Sequence, residues 1–166
     1  MSIKKVYLGI DNGVSGSIGI ITPTEISNHK TPVFTQQDYV KKKANVTRVD
    51  TIELLRILKE AIGDYKSEEV VIGIERPMVN PQRFVATKSA LRALEATLVT
   101  IEQLGLPYQF LDSKEWQKVM LPKGATGEEL KTVSLDIGKR LFPHLDTKGL
   151  KDFDGILIAE YLRKTN

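Results

Sequence analysis

Val70-Val71-Ile72-Gly73-Ile74 is an uninterrupted apolar run that stops at Glu75. A half-solvated strand alternates apolar with polar residues. A strand without that alternation has no face for water, so it is expected inside a sheet covered on both sides. The rest of the chain offers the covers. From Asp50 or Thr51, Ile52, Leu54, Leu55, Leu58 and Ile62 recur at helical spacing until Gly63. Ala86 to Leu104 is the longest helical pattern, stopped by Gly105 and Pro107. Three more helices are expected: Asp112 or Ser113 to Met120, Glu128 to Phe142, and about Leu150 to Arg163.

The other strands are shorter. Val6, Leu8 and Ile10 alternate with Tyr7, Gly9 and Asp11, a first strand ending at Asp11. Asp11-Asn12-Gly13 and Ser15-Gly16 mark a tight turn. A second strand covers Ile18 to Ile21, and residues 26–34 return as a third. Residues 35–49 are polar and basic and read as a loop or flexible insertion. Tyr108 to Leu111 is the fifth strand. The order is β-β-β-α-β-α-β-α-α-α. It predicts one α/β domain over 1–166, a mixed five-stranded sheet with a three-strand meander, then β/α alternation, and helices on both faces.

Composition narrows the chemistry. The 166 residues contain no cysteine and only two histidines, His29 and His144, so neither a disulfide nor a thiolate or histidine-rich metal site is expected. A catalytic metal would sit on oxygen ligands, which favours Mg²⁺ or Mn²⁺. No signal peptide opens the chain and no apolar stretch approaches about 18 residues, so no membrane contact is expected, and cytoplasm is the default compartment. Net charge is +3, unevenly spread. Five basic residues and one acid lie between Lys30 and Arg48, and four basic residues and no acid between Arg76 and Arg92. Such runs suit a polyanionic partner.

Asp11 and Glu75 end two apolar strands, and ligands of open α/β sheets gather at that end. Two carboxylates close together repel, and one takes a proton unless a cation compensates. Asp152 and Asp154 precede the apolar body of the last helix and bring further acids. Three or four carboxylates around one or two Mg²⁺ ions make a phosphodiesterase site.

Three segments resemble the RuvC-type Holliday junction resolvases, most of all their phage-encoded branch: Tyr7-Leu8-Gly9-Ile10-Asp11-Asn12-Gly13, Ile72-Gly73-Ile74-Glu75, and Lys151-Asp152-Phe153-Asp154-Gly155-Ile156-Leu157-Ile158-Ala159. The resemblance runs from about residue 4 to 163. It implies a ribonuclease-H-like fold and a metal-dependent crossover junction endodeoxyribonuclease that cuts four-way, or other branched, DNA. It implies Asp11, Glu75 and Asp154 as metal ligands, with two ions per site, in a bacterial or phage-infected host. The family commonly has an acid or histidine three residues before its last Asp; Lys151 stands there instead. Two residues compete to complete the site. Asp152 serves if the helix starts after it, since two residues apart on a helix is about 200° of rotation. Otherwise Lys151 contacts the scissile phosphate.

The resemblance also implies that Lys118, Lys123 and Lys131, around the loop 123–127, approach the DNA backbone, with Lys114 nearby. Arg76, Arg83 and Phe84 lie in the loop leaving the Glu75 strand. Phe84, with Met78 as alternative, is the expected wedge between bases. On the long helix, Leu91, Leu94, Leu98 and Ile101 are expected to cover the sheet. Ala86, Ala90, Ala93 and Thr97 form a second face. A helix apolar on two sides is buried on two sides, so a twofold homodimer through residues 86–104 is expected, matched to paired cuts. The rival functions are another nuclease on the same fold, cutting branched DNA or RNA–DNA hybrids, and a non-catalytic junction-binding module. A two-domain ATP-binding fold, suggested by Gly9-Ile10-Asp11-Asn12-Gly13, needs a longer chain.

Overall fold

A computed structural model describes residues 4–146 and 148–166. In chain order the strands are β1 (Val6–Asp11), β2 (Ser17–Ile21), β3 (Ile26–Lys30), β4 (Val33–Gln37), β5 (Asn45–Val49), β6 (Val70–Glu75) and β7 (Gln109–Leu111). The helices are α1 (Thr51–Ile62), α2 (Phe84–Gln103), α3 (Ser113–Met120), α4 (Glu129–Leu141) and α5 (Asp154–Thr165). Five strands make one mixed sheet in the order β3-β2-β1-β6-β7. The meander β1-β2-β3 is antiparallel, whereas β6 and β7 run parallel to β1.

Each face of the sheet has its own core. Leu8, Ile10, Ile18, Ile20, Ile72 and Ile74 pack against Leu54 and Leu58 of α1 and Ala93 and Ile101 of α2. Tyr7, Ile21, Val71 and Leu111 pack against Trp116 of α3 and the buried run Ile156–Ala159 of α5. Each such fully buried Leu or Ile stabilises the fold by about 1.5–3 kcal/mol.

The second face has a break in its side chains. Gly9 pairs with Gly19 on one side and Gly73 on the other, a bare row across three strands. α5 lies directly on this row. A Cβ on Gly9 would come within 2.2 Å of the Gly155 carbonyl oxygen, and one on Gly19 within 2.3 Å of the Ile156 Cα. Backbone meets backbone here, which only glycine permits. The Gly155 N–H also donates to Ser17 Oγ at 3.0 Å, pinning the first turn of α5 to β2. On β1 and β6 the next residue on this face after glycine is an acid, Asp11 and Glu75. The glycine row therefore delivers the start of α5 to the sheet edge that carries both.

The structure differs from the sequence expectation at three places. Residues 35–49 are not simply a loop: with Val33 and Phe34 they form a separate two-stranded hairpin of β4 and β5, Val33 opposite Val49 and Gln37 opposite Asn45. The third strand accordingly stops at Lys30, and Thr31-Pro32 turns the chain into the hairpin. Lysines at the tip dominate the composition, but Val33, Phe34, Thr35, Val46, Thr47 and Val49 are strand formers. The last helix begins at Asp154 rather than near Leu150. On α2, Leu94, Leu98 and Ile101 pack on the sheet-side core as expected, but Ala93, Thr97 and Thr100 are buried there too, and Leu91 is 44% exposed. Ala93 and Thr97 thus belong to the inner side, because their small side chains let the helix settle close to the sheet.

Candidate metal centre and nucleic-acid interface

Asp11, Asp152 and Asp154 converge: one ligand oxygen from each lies within 4.8 Å of the other two. The late start of α5 makes this possible. Asp152 lies before the helix, so the 200° separation does not apply to it. Its Oδ1 instead accepts from the Asp154 N–H at 3.1 Å, closing a turn that aims both carboxylates the same way. Lys151 is exposed beside them.

Glu75 stands next to this cluster, with an oxygen already engaged. Its Oε2 accepts from Trp116 Nε1 at 2.5 Å. Trp116 is fully buried in the α5-side core, so the indole is a rigid donor. Asp154 has its own anchor: the hydroxyl of buried Ser134, on α4, donates to Asp154 Oδ1. Asn12 Nδ2 donates to the Ala90 carbonyl at 3.1 Å and ties the end of β1 to α2. The sequence gives Trp116 and Ser134 no role, and it shows Asn12 only as part of the turn after Asp11. The in-register glycines were the available signal, since glycine inside an apolar strand marks a close backbone approach.

Crowded acids cannot all be charged without a partner. Burial pushes the Asp11 carboxyl well above the ordinary range, and Asp154, Glu75 and Asp152 push it further. Burial, then the neighbouring Asp152 charge, lift Asp154 to about 7, against the pull of Ser134. Burial raises Glu75 as well, while hydrogen bonds from Trp116 and Ser113 hold it back. Lys131 is the cation that favours ionisation of both Asp11 and Asp154. Three oxygens at this separation, short of positive charge, form a donor set that fits a hard divalent cation.

Basic groups line grooves of this surface, and two of the grooves include an acid: Lys30 and Lys151 share one with Asp152, and Arg76 and Arg83 share another with Glu75. Lys114, Lys118 and Lys123 line one groove at the loop from α3 to α4. A second groove runs from Asn12 and Glu75 along Met78 and Asn80 to Arg83. Arg76 is partly committed, paired with Asp112 at 3.1 Å and stacked over Phe110. Phe84 is 68% exposed, not core, with Lys88 Nζ 5.6 Å from its ring centre. Met78 is 79% exposed on the same side.

This sheet order, with helices on both faces and an acid at the carboxyl end of each of β1 and β6, is that of a ribonuclease-H-like fold. Among solved structures, Thermus thermophilus RuvC shares it. RuvC in complex with Holliday junction substrate matches with a TM-score of 0.56 and 14% identity, covering 95% of this chain and 92% of that one. A second Thermus thermophilus RuvC structure matches with a TM-score of 0.55 and 13% identity, covering 96% and 95%. The chain therefore has the fold of RuvC over nearly its whole length. No protein-family model and no curated protein matches the sequence. Among the described residues no helix is long and apolar enough to cross a membrane.

Proposed function

We propose that this chain is a divalent-metal-dependent endodeoxyribonuclease that resolves four-way DNA junctions. The convergence of Asp11, Asp152 and Asp154 beside Glu75 carries the reading, because half-buried acids so close together are all ionised only with a cation among them and otherwise hold protons. In this reading Asp11, Asp152 and Asp154 hold Mg²⁺ or Mn²⁺, two ions per site, and Glu75 completes the acidic set. Bound there, a divalent ion would supply a water of lowered pKa for attack on the phosphodiester and positive charge for the leaving 3′ oxygen.

The chain's own residues do the rest. Ser134 and Trp116 fix the carboxylates before any ligand arrives. The Lys131 charge favours the ionised forms of Asp11 and Asp154 and offsets part of their repulsion toward an incoming phosphate. Lys118, Lys123 and Lys151 bind flanking phosphates, and Arg83 and Arg76 take those beyond Glu75. Phe84, exposed at the start of α2 with Met78 near it, inserts between bases where the arms meet. Two copies, joined through the outer side of α2, place two sites for paired cuts. The reading places the chain in the cytoplasm of a bacterium or a phage-infected host.

Incubation with labelled four-way, three-way, RNA–DNA hybrid and linear substrates, with and without Mg²⁺, tests the reading. Paired incisions in the four-way junction, abolished by chelator, are expected. Cutting of hybrids alone would reassign the substrate. Tight junction binding with no cutting in Mg²⁺ or Mn²⁺ would make the chain a non-catalytic binder.

A further inference from the structure

The β4–β5 hairpin is the part of the molecule that this reading leaves unused. It is held in place by aromatic and guanidinium groups in alternation. The Arg48 guanidinium lies 5.4 Å from the Phe34 ring centre and 5.9 Å from that of Tyr39, and Arg92 of α2 lies 5.8 Å from Tyr39. The tip is an organised turn. Asp38 Oδ1 accepts from the Val40 N–H at 2.8 Å and the Lys41 N–H at 3.2 Å, and Gln37 Nε2 donates to the Lys42 carbonyl at 2.8 Å. This frame presents Lys41, Lys42 and Lys43 to solvent.

Charge here is one-sided. Lys41, Lys42, Lys43, Arg48, Lys88 and Arg92 are gathered on the hairpin and the facing turns of α2, and Asp38 is the one acid in residues 33–49. Its carboxylate is already occupied by the turn. Like charges held together favour a polyanion. The position fits one. Lys30 pairs with Ser17, and Ser17 with Asp11, so β3 ends at the edge that carries the acids. The Thr31 N–H, at the hairpin's root, donates to the Gly16 carbonyl at 3.0 Å, in the turn after Asp11. Lys30 and Val33 share a groove with Asp152.

We propose that the hairpin is a second DNA contact, whose tip lysines grip the phosphate backbone of a duplex arm beside the cut. The proposal rests on the nuclease reading for the path of the DNA. A second copy of the chain is the disfavoured occupant, because pairing two hairpins would bring equal positive charges together.

The test uses the full chain carrying Lys41→Ala, Lys42→Ala and Lys43→Ala together, and a second variant with the three lysines changed to arginine. Binding of a four-way junction is measured by fluorescence anisotropy in chelator, from 50 to 200 mM salt, conditions set by the salt sensitivity of phosphate contacts. The slope of log affinity against log salt should become shallower by about 2–3 in the alanine variant, near 0.9 per lost phosphate contact. The arginine variant should keep the wild-type slope. Circular dichroism and Mg²⁺ titration establish that both variants keep the fold and the acid site. Equal slopes in wild type and alanine variant would overturn the proposal while leaving the nuclease reading intact. Equal slopes with a changed sedimentation mass would make the hairpin a face between copies. A wild-type chain that binds no DNA would overturn both readings together.

Discussion

Asp154 keeps its proton up to about pH 7 because burial and the Asp152 charge both oppose ionisation. Its pKa is higher folded than unfolded, so its contribution to stability is fully present below about pH 4 and fades as pH rises through 7. Asp11, raised in the same direction, adds to the trend. In chelator at pH 8, Asp11→Asn should therefore stabilise the protein by about 1 kcal/mol or more, roughly 2–4 °C in Tm. The gain should vanish near pH 4, and Mg²⁺ should stabilise the wild type far more than the variant. A lower Tm for the variant at pH 8 would contradict the crowding argument. The same substitution should abolish cleavage and leave junction binding in place. Trp116 offers a direct reporter, as the chain's single tryptophan with its N–H on Glu75. Saturable Mg²⁺ binding should shift its emission, and Asp11→Asn should suppress the shift; flat emission in the wild type would separate Glu75 from the cation site. The acids were legible in the sequence because each ends an apolar strand or opens an apolar helix. Their anchors were not, since Ser134 and Trp116 lie 20 and 41 positions from their partners and no local pattern links them.

At the scale of elements, α5 is what assembles the site, and the glycine row is what lets it. Gly19→Ala should act on both. Its Cβ would meet helix backbone, not a side chain that can rotate away. Overpacking of this kind typically costs about 1–3 kcal/mol when side chains can shift, so at least that is expected in urea denaturation. Because the displaced part of α5 carries Asp154, Mg²⁺ affinity should fall too. Unchanged stability and metal affinity would mean that α5 does not depend on this contact. The strands β1 and β6 were readable because burial on both faces leaves one solution for an apolar run. The start of α5 was less so: acids at 152 and 154 both suit a first helical turn, and only the Asp152–Asp154 hydrogen bond decides between them. The hairpin escaped because its tip outweighs its strands in composition, and strand pairing is a non-local property.

For the whole molecule, the question is what covers the outer side of α2. Leu91 and Val99 are 44% and 43% exposed, two turns apart on a helix whose inner side is already packed. Val85 and Phe84 continue the strip to the N-terminal end of α2, with the exposed charges of Lys88 and Glu95 interspersed. A twofold partner seated on Leu91 and Val99 would bury the strip without displacing any core residue, and would leave Phe84 of each copy near the junction centre. Leu91→Glu combined with Val99→Glu should then yield a monomer by sedimentation, with Mg²⁺-induced stabilisation intact, because neither residue approaches the acids. On a supercoiled plasmid that extrudes a cruciform, the wild type should give linear product through two coordinated cuts. The monomeric variant should stop at the nicked circle. Linear product from a monomer would show that pairing of the cuts does not require this interface, and a variant that stays dimeric would move the interface off α2. The two readouts separate a failure of assembly from a failure of chemistry, since a nick still requires an intact Asp11–Asp152–Asp154 cluster.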